Sequence, residues 1–332
     1  MRKKLLALLG AGALAVSLGA CSPAAPEAPT TTETGGGEEA VAEAGGLMAI
    51  ITVDQANPFW QAEADTAKAE AEALGYTTTV ADHKNDPAAQ LQLIETAITN
   101  GAVAIILDPA GADESIGAVT LATEAGIPVF TVNAEINQDG LALSQIVSNN
   151  AQGAALGAEE FARAMGYEGE YVELYGNPTD NNAEVRSTGY ASVLGQYPDM
   201  VRLGIETANW DRTQGKDRMD SLLQAYPNLK GVISGNDEMA LGAIASLEAI
   251  GRTDVVVGGF DGNADAVAAV EEGKMAYTVL QPIVTLAQMA VQQAHSYLTT
   301  GSTGVADEKQ SVDCLLINPD NAGTYTFWAL EG

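Results

Sequence analysis

Nine polar and aromatic side chains occur where predicted strands pass into helices. They are Asn57, Phe59, Trp60, Asn133, Arg186, Trp210, Asn236, Asp261 and Gln281. Asparagine, aspartate, arginine and glutamine hydrogen-bond hydroxyl groups, and a carboxylate or guanidinium group can engage two neighbouring hydroxyls at once. Aromatic faces pack on the C–H faces of a sugar or polyol. This set predicts a site for a neutral, polyhydroxylated ligand, since a phosphate or nucleotide would require more cations.

Asn236 illustrates the two interpretations that each of these residues allows. Val232 and Ile233 are predicted to end a buried strand, and a helix is predicted at 237–250, so Asn236 lies between them. Capping the helix is an ordinary role for asparagine at such a position. The carboxyl end of a strand is also where open α/β sheets bind ligands. Because eight other suitable side chains occupy equivalent positions, we interpret Asn236 as a ligand contact.

The sequence contains none of four common enzyme motifs. The phosphate loop GxxxxGK[ST], the GxGxxG turn after the first strand, GxSxG and HExxH are all absent. The two histidines, His83 and His295, are interpreted as ordinary surface or half-buried residues. The CxxC spacing of metal sites is missing as well. We therefore predict a binding protein that is not an enzyme and needs no cofactor or metal.

The elements that position these side chains alternate between strand and helix. In the first half, strands are predicted at 47–53, 76–81, 103–107 and 127–132, and helices at 58–74, 87–99 and 114–124. In the second half, strands are predicted at 170–175, 201–207, 231–233, 255–258, 277–280 and 311–317, and helices at 151–165, 184–196, 213–225, 237–250, 265–272 and 283–298. Apolar strands separated by helices are typical of parallel sheets covered on both faces. Two series of similar size predict an α/β protein with two lobes and a ligand cleft between them.

The amino terminus has the features of a secretory signal. A basic start at 2–4 precedes an apolar run that is too short to span a bilayer comfortably. The run ends in LGAC at 18–21, which resembles the box at which bacterial lipoproteins are cleaved and lipidated. We predict a signal peptide at 1–20, lipidation of Cys21 and a disordered tether at 21–46. Ordinary cleavage before a structural cysteine is the alternative. The protein is thus expected outside the cytoplasm, with its lipid as the only membrane contact.

Charge and cysteine content exclude several other classes. The chain has 44 acidic and 15 basic residues and a formal net charge of −29. So acidic a surface repels nucleic acid and anionic lipid, which require a basic face. Cys314, the only cysteine besides Cys21, is flanked by apolar residues and is interpreted as a buried small hydrophobe. No disulfide is predicted.

Seven motifs carry a resemblance to a known family. They are QANPFW at 55–60, GIPVFTVN at 126–133, VRSTGY at 185–190, NWDRTQGKDRM at 209–219, GNDEMALGA at 235–243, VVGGFDGNAD at 256–265 and LQP at 280–282. With these motifs the chain resembles the ribose-type, or type I periplasmic, sugar-binding proteins that deliver a ligand to bacterial ABC importers. The resemblance extends over about 47–317.

The resemblance implies two Rossmann-like, doubly wound parallel-sheet lobes that are joined by a three-crossing hinge and close around the ligand. The implied N-terminal lobe comprises 47–148 and 282–313, and the C-terminal lobe comprises 149–281 and 314–332. All nine side chains fall on ligand-contact positions of the family. Phe59, Trp60 and Trp210 would sandwich the ligand. Arg186, Asn236 and Asp261 would hold hydroxyl groups, with Gln281 near the hinge. The implied partners are the permease and the ATPase of an ABC importer, served by a monomer.

One position departs from the family pattern. Ribose-type members usually carry an acidic residue followed by arginine where this chain has Asn133 and Ala134. Charged hydrogen bonds contribute about 1.5–3 kcal/mol each, so loss of that pair disfavours ribose. We expect a small sugar alcohol or an unusual monosaccharide instead. Whether Glu135 turns into the site is left open.

Two other functions share this fold. A receptor that passes its closed form to a chemosensor is compatible with the same sequence features. A regulator of the lactose-repressor type would need a basic helix-turn-helix before the body. This chain has an apolar signal and an acidic tether there instead, which disfavours the regulator.

Overall fold

The computed structural model describes residues 45–330, in which strands and helices alternate. The first series consists of β1 (Leu47–Thr52), α1 (Pro58–Ala73), β2 (Thr77–Asp82), α2 (Pro87–Thr99), β3 (Ala102–Leu107), α3 (Ile116–Glu124), β4 (Val129–Val132) and β5 (Ser144–Ser148). The second consists of α4 (Asn150–Ala164), β6 (Gly169–Tyr175), α5 (Asn181–Leu194), β7 (Met200–Thr207), α6 (Arg212–Ala225), β8 (Gly231–Ser234), α7 (Asp237–Ala249), β9 (Val256–Gly258), α8 (Ala264–Glu271) and β10 (Thr278–Leu280). The last elements are α9 (Ile283–Thr300), β11 (Lys309–Val312), β12 (Leu315–Ile317), a 3₁₀ turn (Ala322–Thr324), β13 (Tyr325–Thr326) and β14 (Ala329–Leu330). The predicted signal peptide, Cys21 and nearly all of the tether lie outside the described residues.

The first sheet has six parallel strands in the order β11-β5-β4-β3-β1-β2. Successive residues of β1 point to opposite faces, as the two-residue period of a strand requires. Met48 and Ile50 join the apolar cluster that includes α1 and α9 residues, whereas Ala49 and Ile51 join the cluster that includes α2 and α3 residues. Helices therefore cover both faces, which explains why β1 is apolar from Leu47 to Ile51.

The second sheet has four parallel strands in the order β7-β6-β8-β9. Single parallel bridges, Gly258 to Tyr277 and Asp261 to Leu280, attach β10 beside β9. Strand β10 also pairs with β12 in antiparallel fashion. Val232 and Ile233 of β8 contribute to different apolar clusters, so this sheet too is buried on both faces.

The chain passes between the two sheets three times. The crossings lie between β5 and α4, between β10 and α9, and between β11 and β12. The single strand predicted at 311–317 is wrong, because the structure divides it at Asp313 and Cys314. Its first part joins β5 in the first sheet, and its second part joins β10. An apolar pattern indicates an extended segment, but it does not show that the pairing partner changes within the segment.

Local residue types explain most helix boundaries. Asn57 and Asp86 cap α1 and α2 by accepting from Phe59 N (2.9 Å) and Ala88 N (2.8 Å), and a proline follows each cap. Helix α5 begins at Asn181, earlier than the predicted 184, because Asp180 caps it. Among residues 45–330, no helix is both long and apolar enough to cross a membrane.

Candidate functional site

All nine predicted ligand-contact residues line a single cavity where the strand ends of the two sheets meet. Its free volume is about 20 Å³, so the lining side chains nearly fill it. Each of the nine is at most 8% exposed. Asp180 and Asn182 also line the cavity, and the sequence analysis missed both. The structure thus brings the whole predicted set together, while the contact of each residue with a ligand stays a prediction.

The start of α1 supplies the aromatic wall on the side of the first sheet. Because the Asn57 cap fixes the first turn, Phe59 and Trp60 are held at the cavity. Phe59 packs edge-on against Trp328 of the β13–β14 hairpin, with ring centroids 5.5 Å apart. The Trp60 Nε1 atom is buried and has no hydrogen-bond partner among residues 45–330.

Asn133 follows β4 in the left-handed backbone conformation, with φ of 65°. Asparagine tolerates that conformation better than most residues. Its Nδ2 atom donates to Asp108 Oδ2 at 2.8 Å, and its backbone oxygen accepts from Asn182 Nδ2 at 3.0 Å. The Asn133 Oδ1 atom is buried and has no partner within the described part of the chain. Asn133 therefore offers the cavity an uncharged hydrogen-bond acceptor.

Arg186 is held on several sides by the second half of the chain. Its Nε atom donates to Asn150 Oδ1 and its Nη1 atom to Gly235 O, both at 2.8 Å. The guanidinium carbon lies 3.8 Å from the centroid of the Phe260 ring, which is a close cation–π contact. Nη1 also lies 3.6 Å from Asp261 Oδ1, forming a buried ion pair. Arg186 is thus held by protein groups alone.

A strained turn carries Asp261 into the cavity. Its backbone φ of 135° is a conformation that side chains other than glycine rarely adopt. Asp237 stabilises this turn by accepting from Gly262 N and Asn263 N, each at 2.8 Å. Gln281 Nε2 donates to Asp261 Oδ1 at 2.8 Å. Burial raises the pKa of Asp261, and the neighbouring Arg186 guanidinium opposes that rise.

Asn236 caps a helix and also lines the cavity, the two roles that its position in the sequence allowed. Its Oδ1 atom caps α7 by accepting from Met239 N at 3.0 Å, and its Nδ2 atom donates to Trp210 O at 3.2 Å. The amide still lines the cavity and retains one N–H group for a ligand. The Trp210 ring lies so close to Gly176 that a Cβ atom there would come within 2.0 Å of it. Residue 176 must therefore be glycine for this ring position.

Segments that follow strands of the two sheets touch beside the cavity. Thr179 O accepts from Ala112 N at 2.9 Å, and Asn181 Nδ2 donates to Asn137 Oδ1 at 2.8 Å. These bonds join the β6–α5 loop to loops that follow β3 and β4. An outer groove of about 580 Å³ adjoins the cavity through Asn57, Trp60 and Trp210. These contacts join the two sheets directly across the cavity.

The structure corrects the interpretation of His83 and resolves the position of Glu135, which the sequence left open. His83 is fully buried, with Nε2 2.8 Å from Asp108 O, so its interpretation as a surface or half-buried residue is wrong. The sequence around His83 is polar and therefore did not indicate that this residue is buried. Glu135 does not line the cavity but lies 3.5 Å from Lys309 Nζ in an ion pair. Within residues 45–330, no cluster of His, Cys, Asp and Glu is arranged to hold a metal ion.

Comparison with known proteins places this geometry in context. Residues 48–303 match the family described as periplasmic binding protein domain. A D-apiose import binding protein of Actinobacillus succinogenes is 55% identical over 83% of this chain and 89% of its own length. A D-apiose import binding protein of Paraburkholderia graminis is 50% identical over 87% of this chain and 93% of its own length.

A solved structure shares the fold. The solute-binding protein of an ABC transporter from Bacillus halodurans, with bound myo-inositol, is 27% identical. It superimposes with a TM-score of 0.76 over 85% of this chain and 97% of the other.

Proposed function

We propose, from the premise that this chain belongs to the periplasmic binding protein family, that it binds D-apiose and delivers it to an ABC importer. The family consists of extracytoplasmic solute-binding proteins for transport, not of enzymes, and an ABC importer is the partner of its import proteins. The observation that carries the proposal is 55% identity to a D-apiose import binding protein over 83% of the chain. D-apiose is a branched pentose, which agrees with the expectation of an unusual monosaccharide rather than ribose.

The chemistry of the cavity supports a small neutral sugar. Its positive charge, Arg186, already faces the carboxylate of Asp261, so the cavity offers no free cation for a phosphate. Three unpartnered buried atoms, Trp60 Nε1, Asn133 Oδ1 and Gln281 Oε1, belong to lining residues. Buried polar groups are normally hydrogen-bonded, and sugar hydroxyls would satisfy these three.

We assign the lining side chains roles in holding the sugar. Phe59 and Trp60 pack against one of its faces and Trp210 against the other. Arg186 and Asp261 engage hydroxyl groups. The remaining amides, Asn57, Asn133, Asn236 and Gln281, contribute single hydrogen bonds.

The proposed lobes comprise 47–148 with 282–313, and 149–281 with 314–332. They open to admit the sugar and close through the contacts of Thr179 and Asn181. We propose that the monomeric closed form is what the permease recognises before its ATPase drives transport. We further propose cleavage of 1–20 and lipidation of Cys21, with the tether at 21–46 holding the protein at the membrane.

A ligand panel tests the assignment. Thermal unfolding is measured with D-apiose, D-ribose, myo-inositol and other C4–C6 sugars and polyols. At about 100 times its dissociation constant, a ligand stabilises the native protein by roughly 2.7 kcal/mol, so D-apiose should raise the melting temperature. No shift with any compound would refute sugar binding. A larger shift with D-ribose than with D-apiose at equal concentration would refute the ligand assignment alone.

A further inference from the structure

Two carboxyl groups lie buried beneath Asn133, outside the set of cavity-lining residues. Glu63 on α1 and Asp108 after β3 are each 1% exposed. Within residues 45–330, neither forms an ion pair with lysine or arginine. Two ionised carboxylates side by side in such a site would repel each other and lack compensation for lost hydration. The pair therefore needs another source of stabilisation.

The hydrogen bonds around the pair account for two of its four oxygens. Thr52 Oγ1 donates to Glu63 Oε1 at 2.9 Å, and Asn133 Nδ2 donates to Asp108 Oδ2 at 2.8 Å. Glu63 Oε2 and Asp108 Oδ1 are buried and have no donor in the described chain. The two side chains are within hydrogen-bonding reach of each other. One proton between Glu63 Oε2 and Asp108 Oδ1 would satisfy both remaining oxygens.

We propose that Glu63 and Asp108 share one proton and act as positioning residues, holding the Asn133 amide with its oxygen available to the sugar. With that proton between Glu63 Oε2 and Asp108 Oδ1, Asp108 Oδ2 carries none and can only accept, so Asn133 must turn its NH₂ group towards it. The Asn133 oxygen then accepts from a sugar hydroxyl. The inference rests on the proposed sugar binding, and it identifies a place where the ligand must donate a hydrogen bond.

The surroundings favour retention of this proton near neutral pH. Burial raises the pKa of Glu63 to about 8 and raises that of Asp108, with the negative charge of Asp180 adding to the latter effect. His83 also lies against Asp108, through the Asp108 carbonyl oxygen, and burial lowers the pKa of its ring. The negative charges of Asp82 and Asp86 oppose that lowering. No cation faces the pair from these elements.

The pair makes sugar affinity sensitive to alkaline pH. When rising pH removes the shared proton, the two carboxylates repel and the Asn133 amide loses its fixed support. Loss of one linked proton weakens binding by up to about tenfold for each further pH unit. Calorimetric titration with D-apiose from pH 6 to 9.5 measures this slope.

Glu63→Gln is the decisive variant. Glutamine donates an N–H to Asp108 as the shared proton does, so affinity at pH 6.5 should stay within about threefold of wild type, and the alkaline loss should disappear. Asp65→Asn, the same carboxyl-to-amide change at an exposed position of α1, should keep the wild-type profile. A flat wild-type profile, or an alkaline loss that persists in Glu63→Gln, would overturn the proposal. If neither the wild type nor either variant binds D-apiose at pH 6.5, the ligand assignment fails instead.

The unliganded protein provides a test that needs no sugar. The folded pKa of Glu63 lies above its unfolded value, so the protonated state stabilises the wild type below the unfolded pKa and this stabilisation is lost as pH rises to about 8. The urea midpoint of Glu63→Gln relative to wild type should therefore rise between pH 5 and 8, unlike that of Asp65→Asn. A constant difference would overturn the shared proton.

Asp108→Ala provides the complementary variant. It removes the acceptor that orients Asn133, and D-apiose affinity should fall at least tenfold at pH 6.5 while circular dichroism shows a folded protein. Wild-type affinity would contradict the positioning role. Should this variant fail to fold, the two Glu63→Gln measurements decide the matter.

Discussion

The two sides of the cavity offer different chemistry to the proposed sugar. On the side of the second sheet, Arg186 and Asp261 form a charged pair that is fixed by Asn150, Gln281 and neighbouring backbone groups. On the side of the first sheet, the corresponding place holds an uncharged amide, Asn133, above two carboxyl groups. The charged side can supply most of the affinity because charge-assisted hydrogen bonds are the strong ones. In the proposed function, the amide side instead selects the hydroxyl arrangement of the sugar, because one oxygen in a fixed direction is a geometric requirement.

The largest effect is expected from Arg186→Gln. Removing one partner of a buried ion pair costs about 3–5 kcal/mol, because Asp261 is left without compensation. D-apiose affinity measured by calorimetry should fall by more than about 100-fold. Arg163→Gln is the control, since Arg163 is 58% exposed and remote from the cavity. Affinity within threefold of wild type in a folded Arg186→Gln protein would show that the charged side does not dominate.

A smaller loss is expected from Asn133→Asp. Aspartate tolerates the left-handed backbone of residue 133 but cannot donate to Asp108. A buried group left without its partner costs about 1–3 kcal/mol, so calorimetry at pH 7 should show a loss of roughly tenfold or somewhat more. If this variant loses more affinity than Arg186→Gln, the order of the two sides is reversed.

The smallest effect is expected from Asn181→Ala, which breaks a contact between the sides without touching the cavity. It removes the hydrogen bond to Asn137, which is worth about 0.5–1.5 kcal/mol. Affinity should fall a few-fold at most, mainly through faster dissociation. Stopped-flow tryptophan fluorescence separates the two rate constants. An unchanged dissociation rate would mean that this contact does not stabilise the closed form.

The sequence predicted most of the side chains that line the cavity but not the buried carboxyl groups beneath them. Residues such as Asn133 and Asp261 follow strands directly, and the carboxyl ends of parallel strands meet by topology alone. Glu63 lies within a helix that also carries exposed acidic residues, so nothing in its immediate sequence separates it from them. Its burial depends on how α1 packs beside the ends of β1 and β3, which is a tertiary property. Asp180 and Asn182 were missed because the predicted start of α5 was too late.

The fold, like the cavity, was predicted from the sequence only where local signals determine it. The alternation of strands and helices was predicted because apolar runs and caps are local signals, as Asn57 and Asp86 illustrate. The pairing of β11 with one sheet and of β12 with the other was not predicted, since it depends on residues far away in the chain. The β13–β14 hairpin, whose Trp328 packs behind Phe59, was likewise not predicted.

The three crossings have a mechanical consequence. Strands β11 and β12 belong to different sheets yet are separated by only Asp313 and Cys314, so this link has almost no slack. Two further links at Asn149 and at Gln281–Pro282 are equally short. Rigid bodies tied by three short tethers cannot slide or twist freely, and bending about a common axis is the motion left to them. In the proposed transport cycle, occupancy of the cavity is thereby converted into a single angle between the lobes, which the permease reads without touching the sugar.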